Sequence, residues 1–123
     1  QPENFIIKME RLKGKKQIEK LFVSGRSVGV FPLRLVFLKT EDTNKMGVSV
    51  SKKNFKSAVD RNKIKRLLRI AVENHFLDLF NKLEPKYCMM VLYVGKEIPK
   101  AEELDTQFKL MVSRFNKKVL DEV

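Results

Sequence analysis

Residues 46–71, MGVSVSKKNFKSAVDRNKIKRLLRIA, change their apolar period partway along. Met46, Val48 and Val50 alternate with Gly47, Ser49 and Ser51, the spacing of a half-buried strand. KKNFK (52–56) is a basic loop. From Ala58 the apolar residues recur at helical spacing, and Ser57 with Asp60 gives a Ser-x-x-Asp start resembling a capping box. The stretch predicts strand, loop and a long helix running to about Asn81.

The flanking segments complete a mixed fold. KKQIEKLFVSG (15–25) places Ile18, Leu21 and Phe22 on an i, i+3, i+4 stripe, with Gly25 as the stop, and predicts a first helix. SVGVFPLRLVFLK (27–39) is β-branched and apolar, and Pro32 puts an edge or a bend in it. It predicts one strand or two short pieces. TEDTNK (40–45) and EPK (84–86) read as turns. YCMMVLYV (87–94) is apolar on both faces and predicts a central strand covered on both sides. After the loop GKEIPK (95–100), Leu104, Phe108, Met111 and Phe115 form one stripe of a last helix over about 101–120. The order α-β-β(-β)-α-β-α predicts a small α+β sandwich of helices against a sheet, one domain over residues 1–123.

Composition narrows the class. The chain has 123 residues, 43% hydrophobic and 33% charged, which suits a globular domain. Its longest apolar run, CMMVLYV (88–94), is far too short to span a bilayer. QPENFIIKMERLK (1–13) lacks the apolar core and cleavage site of a signal peptide. Cys88 is the one cysteine, so no intrachain disulfide forms, and a buried structural thiol is expected. A cytoplasmic protein is the expectation.

The net charge of +11 is unevenly placed. Residues 1–44 carry a net +4, residues 45–69 a net +8, and residues 70–123 a net −1. Solubility needs no such concentration, whereas a polyanion partner does. On a helix, Arg61, Asn62, Lys65, Arg66 and Arg69 fall within an arc of about 140°. Ile64, Leu67, Leu68, Ala71, His75 and Leu79 lie opposite and should face the sheet. The arc breaks local rules. Arg61–Lys65 and Lys65–Arg69 are like-charge pairs at i+4, and Arg69–Glu73 is the one opposite pair available to it at that spacing. Cations near a helix N-terminus also oppose its dipole. Rules broken together without local gain mark a functional face, here one for a polyanion. Lys52 and Lys53 extend that face. Ser49 and Ser51 offer hydroxyls to phosphate or sugar oxygens. Lys13, Lys15, Lys16 and Lys20 add charge around the first helix. Phe22 is open between a stacking platform for an unpaired base and a core residue, because periodicity does not separate it from Leu21.

Nuclease chemistry within the chain finds little support. Two-metal hydrolysis uses clustered carboxylates. Asp60 suits a helix cap, and Glu102, Glu103 and Asp105 open the last helix, where acids favour the dipole. His75 reads as a packed residue without a nucleophile placed near it. No Gly-rich phosphate loop or Cys/His metal pattern is present, so no metal ligands are expected. A ribosomal or general RNA-binding protein is one reading of this basic face.

GVSVSKK (47–53) followed by AVDRNKIKRLLR (58–69) resembles the protein subunit of bacterial ribonuclease P. The pattern Arg-Asn-x-x-Lys-Arg-x-x-Arg, here Arg61, Asn62, Lys65, Arg66 and Arg69, is that family's signature. RLKGKKQIEKLFVSGRSV (11–28) resembles its N-terminal segment, and order and spacing agree over about residues 9–94. The resemblance implies an α+β two-layer sandwich of order α-β-β-β-α-β-α. It also implies a left-handed βαβ crossover, an exception to the usual hand, as in the second domain of a small-subunit ribosomal protein. It implies a holoenzyme that removes the 5′ leader of precursor tRNA by hydrolysis. The catalytic RNA then holds the active site and its Mg2+, and the protein requires no protein partner and no membrane. RNA-binding residues are then Arg61, Asn62, Lys63, Lys65, Arg66, Arg69, Lys52 and Lys53. The leader cleft is lined by Phe22, Ile18, Ser49, Ser51 and Lys13. Ile18 stands where many members have an aromatic residue, leaving apolar contact in place of stacking. Lys63 stands where Arg is more usual, keeping charge without the bidentate fork.

Overall fold

A computed structural model describes residues 9–12, 14–41, 43–82 and 86–120. Strand β1 is Met9–Arg11, helix α1 Lys15–Ser24, and strands β2, β3 and β4 are Arg26–Val30, Leu33–Thr40 and Asn44–Val50. Helix α2 is Ala58–Lys82, strand β5 Lys86–Tyr93 and helix α3 Ala101–Leu120. The expected order is therefore present, preceded by β1, which its three residues are too few to announce by any period.

The five strands form one sheet in the order β1-β4-β5-β3-β2. The segment 27–39 is two strands: β2 and β3 pair antiparallel, with Arg26 opposite Phe37 and Val30 opposite Leu33, on either side of a cis Phe31–Pro32 bond. β5 lies at the centre, antiparallel to β3 and parallel to β4. The link from β4 to β5 is the whole of α2 with its flanking loops, a parallel crossover between neighbouring strands.

Alternation in the central strands sorts the core onto two faces. Tyr87, Met89, Val91 and Tyr93 join the main cluster with Leu35, Phe37, Met46 and Val50. Against it pack Ile64, Leu68, Val72 and Phe76 of α2 and the predicted α3 stripe, Leu104, Phe108, Met111 and Phe115. α2 lies over β4, and α3 over β2 and β3. Phe37, Tyr87 and Phe115 meet edge to face, with ring centroids 4.9–6.0 Å apart. Such contacts add about 0.5–1.5 kcal/mol per pair beyond area burial. Cys88, Met90 and Leu92 point the other way, into a smaller cluster with Leu12, Leu21 and Val36. β5 is thus covered on both faces, as its unbroken apolar run predicts. Cys88 is half-buried rather than fully buried.

Gly25 ends α1, though not by a left-handed turn: its φ is −76°. Its N–H donates to the Leu21 carbonyl at 2.8 Å, and a Cβ there would lie 2.3 Å from that oxygen and 3.0 Å from the Phe37 carbonyl. Close approach of helix to strand, not φ, requires glycine at this position.

Candidate nucleic-acid interface

α2 starts as its sequence specifies. The Ser57 hydroxyl accepts from the Asp60 N–H at 3.3 Å, and the Ser57 carbonyl accepts from the Arg61 N–H at 3.1 Å. This satisfies N–H groups of the first turn that have no partner within the helix. Burying Ile64, Leu68, Ala71, Val72 and Phe76 turns Asn62, Lys63, Arg66 and Arg69 to solvent and leaves Arg61 and Lys65 half-buried. Leu67 packs at the margin of the core, and the Leu79 side chain lies outside the described residues.

Arg61 differs from its neighbours. Its Nη1 donates to the carbonyls of Phe55 at 2.8 Å and Lys56 at 3.0 Å. The guanidinium folds back onto the loop before α2 instead of standing free on the arc. Ser51 likewise turns inward along the chain: its hydroxyl accepts from the N–H groups of Lys53 and Asn54. It lies just past β4, so it does not share the strand face with Ser49. Asn54 Nδ2 donates to the Val94 and Gly95 carbonyls, and Phe55 is buried beside Tyr93. Loop 51–57 is therefore pinned at both ends, and Lys52 and Lys53 stand exposed on a fixed support.

A groove of about 370 Å³ opens beside the β4 edge. Met46, Gly47 and Val48 of β4 form its floor with Leu12, Ile18 and Met90. Arg11 stands on one side, and Lys65, Arg69, Val72 and Glu73 of α2 on the other. Among the described residues the ion pairs shown are His75–Asp105 and Lys109–Asp105, neither of which involves these cations. Three cations converge here against the single carboxylate of Glu73, an excess of positive charge that raises the local concentration of anions. The sequence reading put Lys65 and Arg69 on a basic arc and the resemblance put Ile18 in a separate leader cleft; the fold brings the three to one groove. Nothing in the sequence signals Arg11, because β1 brings it here, and Glu73 reads only as an ion-pair partner for Arg69.

Phe22 is 48% exposed while Leu21 is fully buried, which separates two residues that periodicity left together. Phe22 stands one turn beyond Ile18 on the same face of α1 and does not itself line the groove. Ser49 shares a register row with Leu92 of β5 and Arg34 of β3 on the α1 side of the sheet. Lys13 lies outside the described residues.

His75 packs toward α3, not the sheet. Its Nε2 is 2.7 Å from Asp105 Oδ1, and its ring stacks on Phe108. The hydrogen bond from His75 holds the Asp105 carboxyl below its ordinary value, with Lys109 adding to the effect against some desolvation. Asp105 thus ties the two helices together, and the acids of the first turn of α3 are Glu102 and Glu103. Among the described residues no three His, Cys, Asp or Glu side chains gather as a metal site would require. No helix there is long and apolar enough to cross a membrane.

A family model described as Ribonuclease P matches residues 6–116. A relative from Porphyromonas gingivalis, named ribonuclease P protein component, is 36% identical over 99 residues, covering 75% of this chain and 72% of that protein. One of the same name from Chlorobium phaeobacteroides is 36% identical over 118 residues, covering 82% of this chain and 81% of that protein. The fold matches the solved RNase P proteins of Staphylococcus aureus, with TM-score 0.69 and 21% identity over 84% of this chain and 92% of that one. It also matches that of Thermotoga maritima, with TM-score 0.67 and 20% identity over 83% and 94%. The chain belongs to the ribonuclease P protein family.

Proposed function

We propose that this ribonuclease P protein is the RNA-binding subunit of a holoenzyme that removes the 5′ leader from precursor tRNA. The catalytic RNA lies against Asn62, Lys63, Lys65, Arg66 and Arg69 of α2 and against Lys52 and Lys53. Arg61 supports that surface by holding loop 51–57 in place. The single-stranded leader runs along the side of the sheet that α1 covers, past Ile18, Phe22 and Ser49. The observation that supports this reading best is the line of α2 cations with no carboxylate partner among the described residues, continued by lysines on a pinned loop.

Phosphate contacts of this kind position RNA without reading its sequence, which suits a subunit serving many precursors. The RNA supplies the hydrolytic site and its Mg2+. The chain supplies cations, and by screening phosphate repulsion it raises the affinity of the RNA for substrate and for metal. No residue of the chain takes part in bond cleavage.

The test is cleavage of precursor tRNA by a cognate ribonuclease P RNA at low magnesium, with and without the chain. Strong stimulation at the mature 5′ end, and none by the chain alone, is the expected result. No stimulation would leave a general RNA-binding protein. Cleavage by the chain alone would move the chemistry from RNA to protein.

A further inference from the structure

We propose that the groove at the β4 edge takes one unpaired RNA nucleotide, and that Glu73 with the Val48 backbone selects a base bearing an exocyclic amino group. This rests on the RNA-binding reading above and adds a specificity that phosphate contacts alone do not provide.

The edge of β4 supplies the first element. Among the described residues β1 pairs with β4 from Asn44 to Met46, and the Leu12 N–H adds one more bond to the Met46 carbonyl at 3.0 Å. Backbone groups alternate sides along a strand, so those of Val48 point the same way as those of Met46. β1 has ended by then. The Val48 N–H and C=O therefore face the groove with no strand beside them among the described residues. A donor and an acceptor side by side match the polar edge of a base.

The lining supplies the rest. Leu12, Ile18, Met46 and Met90 give the flat of a base an apolar surface. Gly47 keeps that surface open: a Cβ there would lie 3.1 Å from the Met90 thioether and 3.4 Å from Leu12 Cβ. Arg11, Lys65 and Arg69 surround the opening, where a phosphate belongs. Glu73 is the one carboxylate among the lining residues, and no ion pair is shown between it and the cations beside it. A carboxylate only accepts hydrogen bonds. It favours the 4-amino group of cytosine and repels the 4-carbonyl oxygen that uracil has in its place.

The experiment measures binding of the full chain to pentacytidylate and pentauridylate at one fixed salt concentration. The wild type should bind the cytidine oligomer several-fold more tightly. Glu73→Ala should abolish that preference by tightening uridine binding or loosening cytidine binding. Lys65→Ala should weaken both alike. Equal wild-type affinities, or a preference that survives Glu73→Ala, would overturn the selection while leaving the RNA-binding reading intact. Failure to bind either oligomer or ribonuclease P RNA would remove that reading as well. Repeating Glu73→Ala with ribonuclease P RNA alone and with leader-bearing tRNA assigns the nucleotide to whichever RNA changes affinity.

Discussion

α2 and α3 lie on the same face of one sheet and bury similar apolar stripes, yet they place their charges in opposite ways. α3 follows local electrostatics. Glu102 and Glu103 occupy its first turn and Lys117 and Lys118 its last, each favourable to the helix dipole. Its cations also have work inside the molecule. Arg114 Nη1 donates to the Gly29 carbonyl and Lys118 Nζ to the Ser27 carbonyl at 2.9 Å, closing the outer edge of β2. Asp105 reaches both His75 and Lys109. α2 instead sets cations in its first turns, spaces them to repel, and leaves Lys63, Lys65, Arg66 and Arg69 without an ion pair among the described residues. Helix charges that find partners within the fold serve the fold. Those that find none are available to a partner outside it.

The inner side of α2 should show the largest effect. Leu68 is fully buried in the main cluster, so Leu68→Ala should cost about 2–5 kcal/mol of stability. Urea unfolding measures it. A loss well under 1 kcal/mol would mean that α2 is held less firmly than α3.

The outer sides of the two helices should then part company. Arg66→Ala or Arg69→Ala should lower RNA affinity and reduce the slope of log affinity against log salt by about 0.9 each, with the unfolding midpoint unchanged. Arg114→Ala, the matched change on α3, should do the reverse. It should cost about 1 kcal/mol of stability through the lost Gly29 hydrogen bond and leave the salt slope alone. If both helices respond alike in titrations with ribonuclease P RNA, the contrast between them is wrong.

The contact between the helices should give the smallest effect. The Asp105 carboxyl is held below its ordinary value by His75. A lowered carboxyl contributes stability above its unfolded value and loses it as pH falls through the folded one. The stability gap between wild type and Asp105→Asn should therefore be fully present above the ordinary carboxyl range and shrink in acid below about pH 4. Melting curves across that range test it, and a gap that widens in acid would reverse the sign assigned to the pair.

Much of this was legible because period and face are local properties. The α3 stripe, the doubly covered β5 and Ile64, Leu68 and Ala71 of α2 follow from spacing, and the bend follows from Pro32, whereas Val72 and Phe76 complete the α2 stripe without having been picked out. What stayed hidden depends on contacts between distant segments. β1 exists only because β4 lies beside it, and it brings Arg11 to the groove. His75 faces α3 because Asp105 and Phe108 lie there. Arg61 and Ser51 have the right types for binding RNA, but the nearest partners for their side chains are groups of loop 51–57. Leu21 and Phe22 differ because Leu21 joins the cluster of Leu12, Val36 and Met90, which distant segments assemble.

The place of β5 in the sheet also sets a schedule. β5 is the last of the described strands in sequence and the middle one in space, between β4 and β3. Until residues 86–93 arrive, β3 and β4 have no neighbour to join them, and the apolar faces they will bury stay open to water. A ribosome therefore completes the basic helix before the strand that fixes its position exists. Closure of the sheet waits for long-range pairing, which is slow and exposes chains to aggregation. A nascent chain arrested before Lys86 would display strong positive charge on an unfinished scaffold, a form that a cell full of RNA would meet with indiscriminate binding.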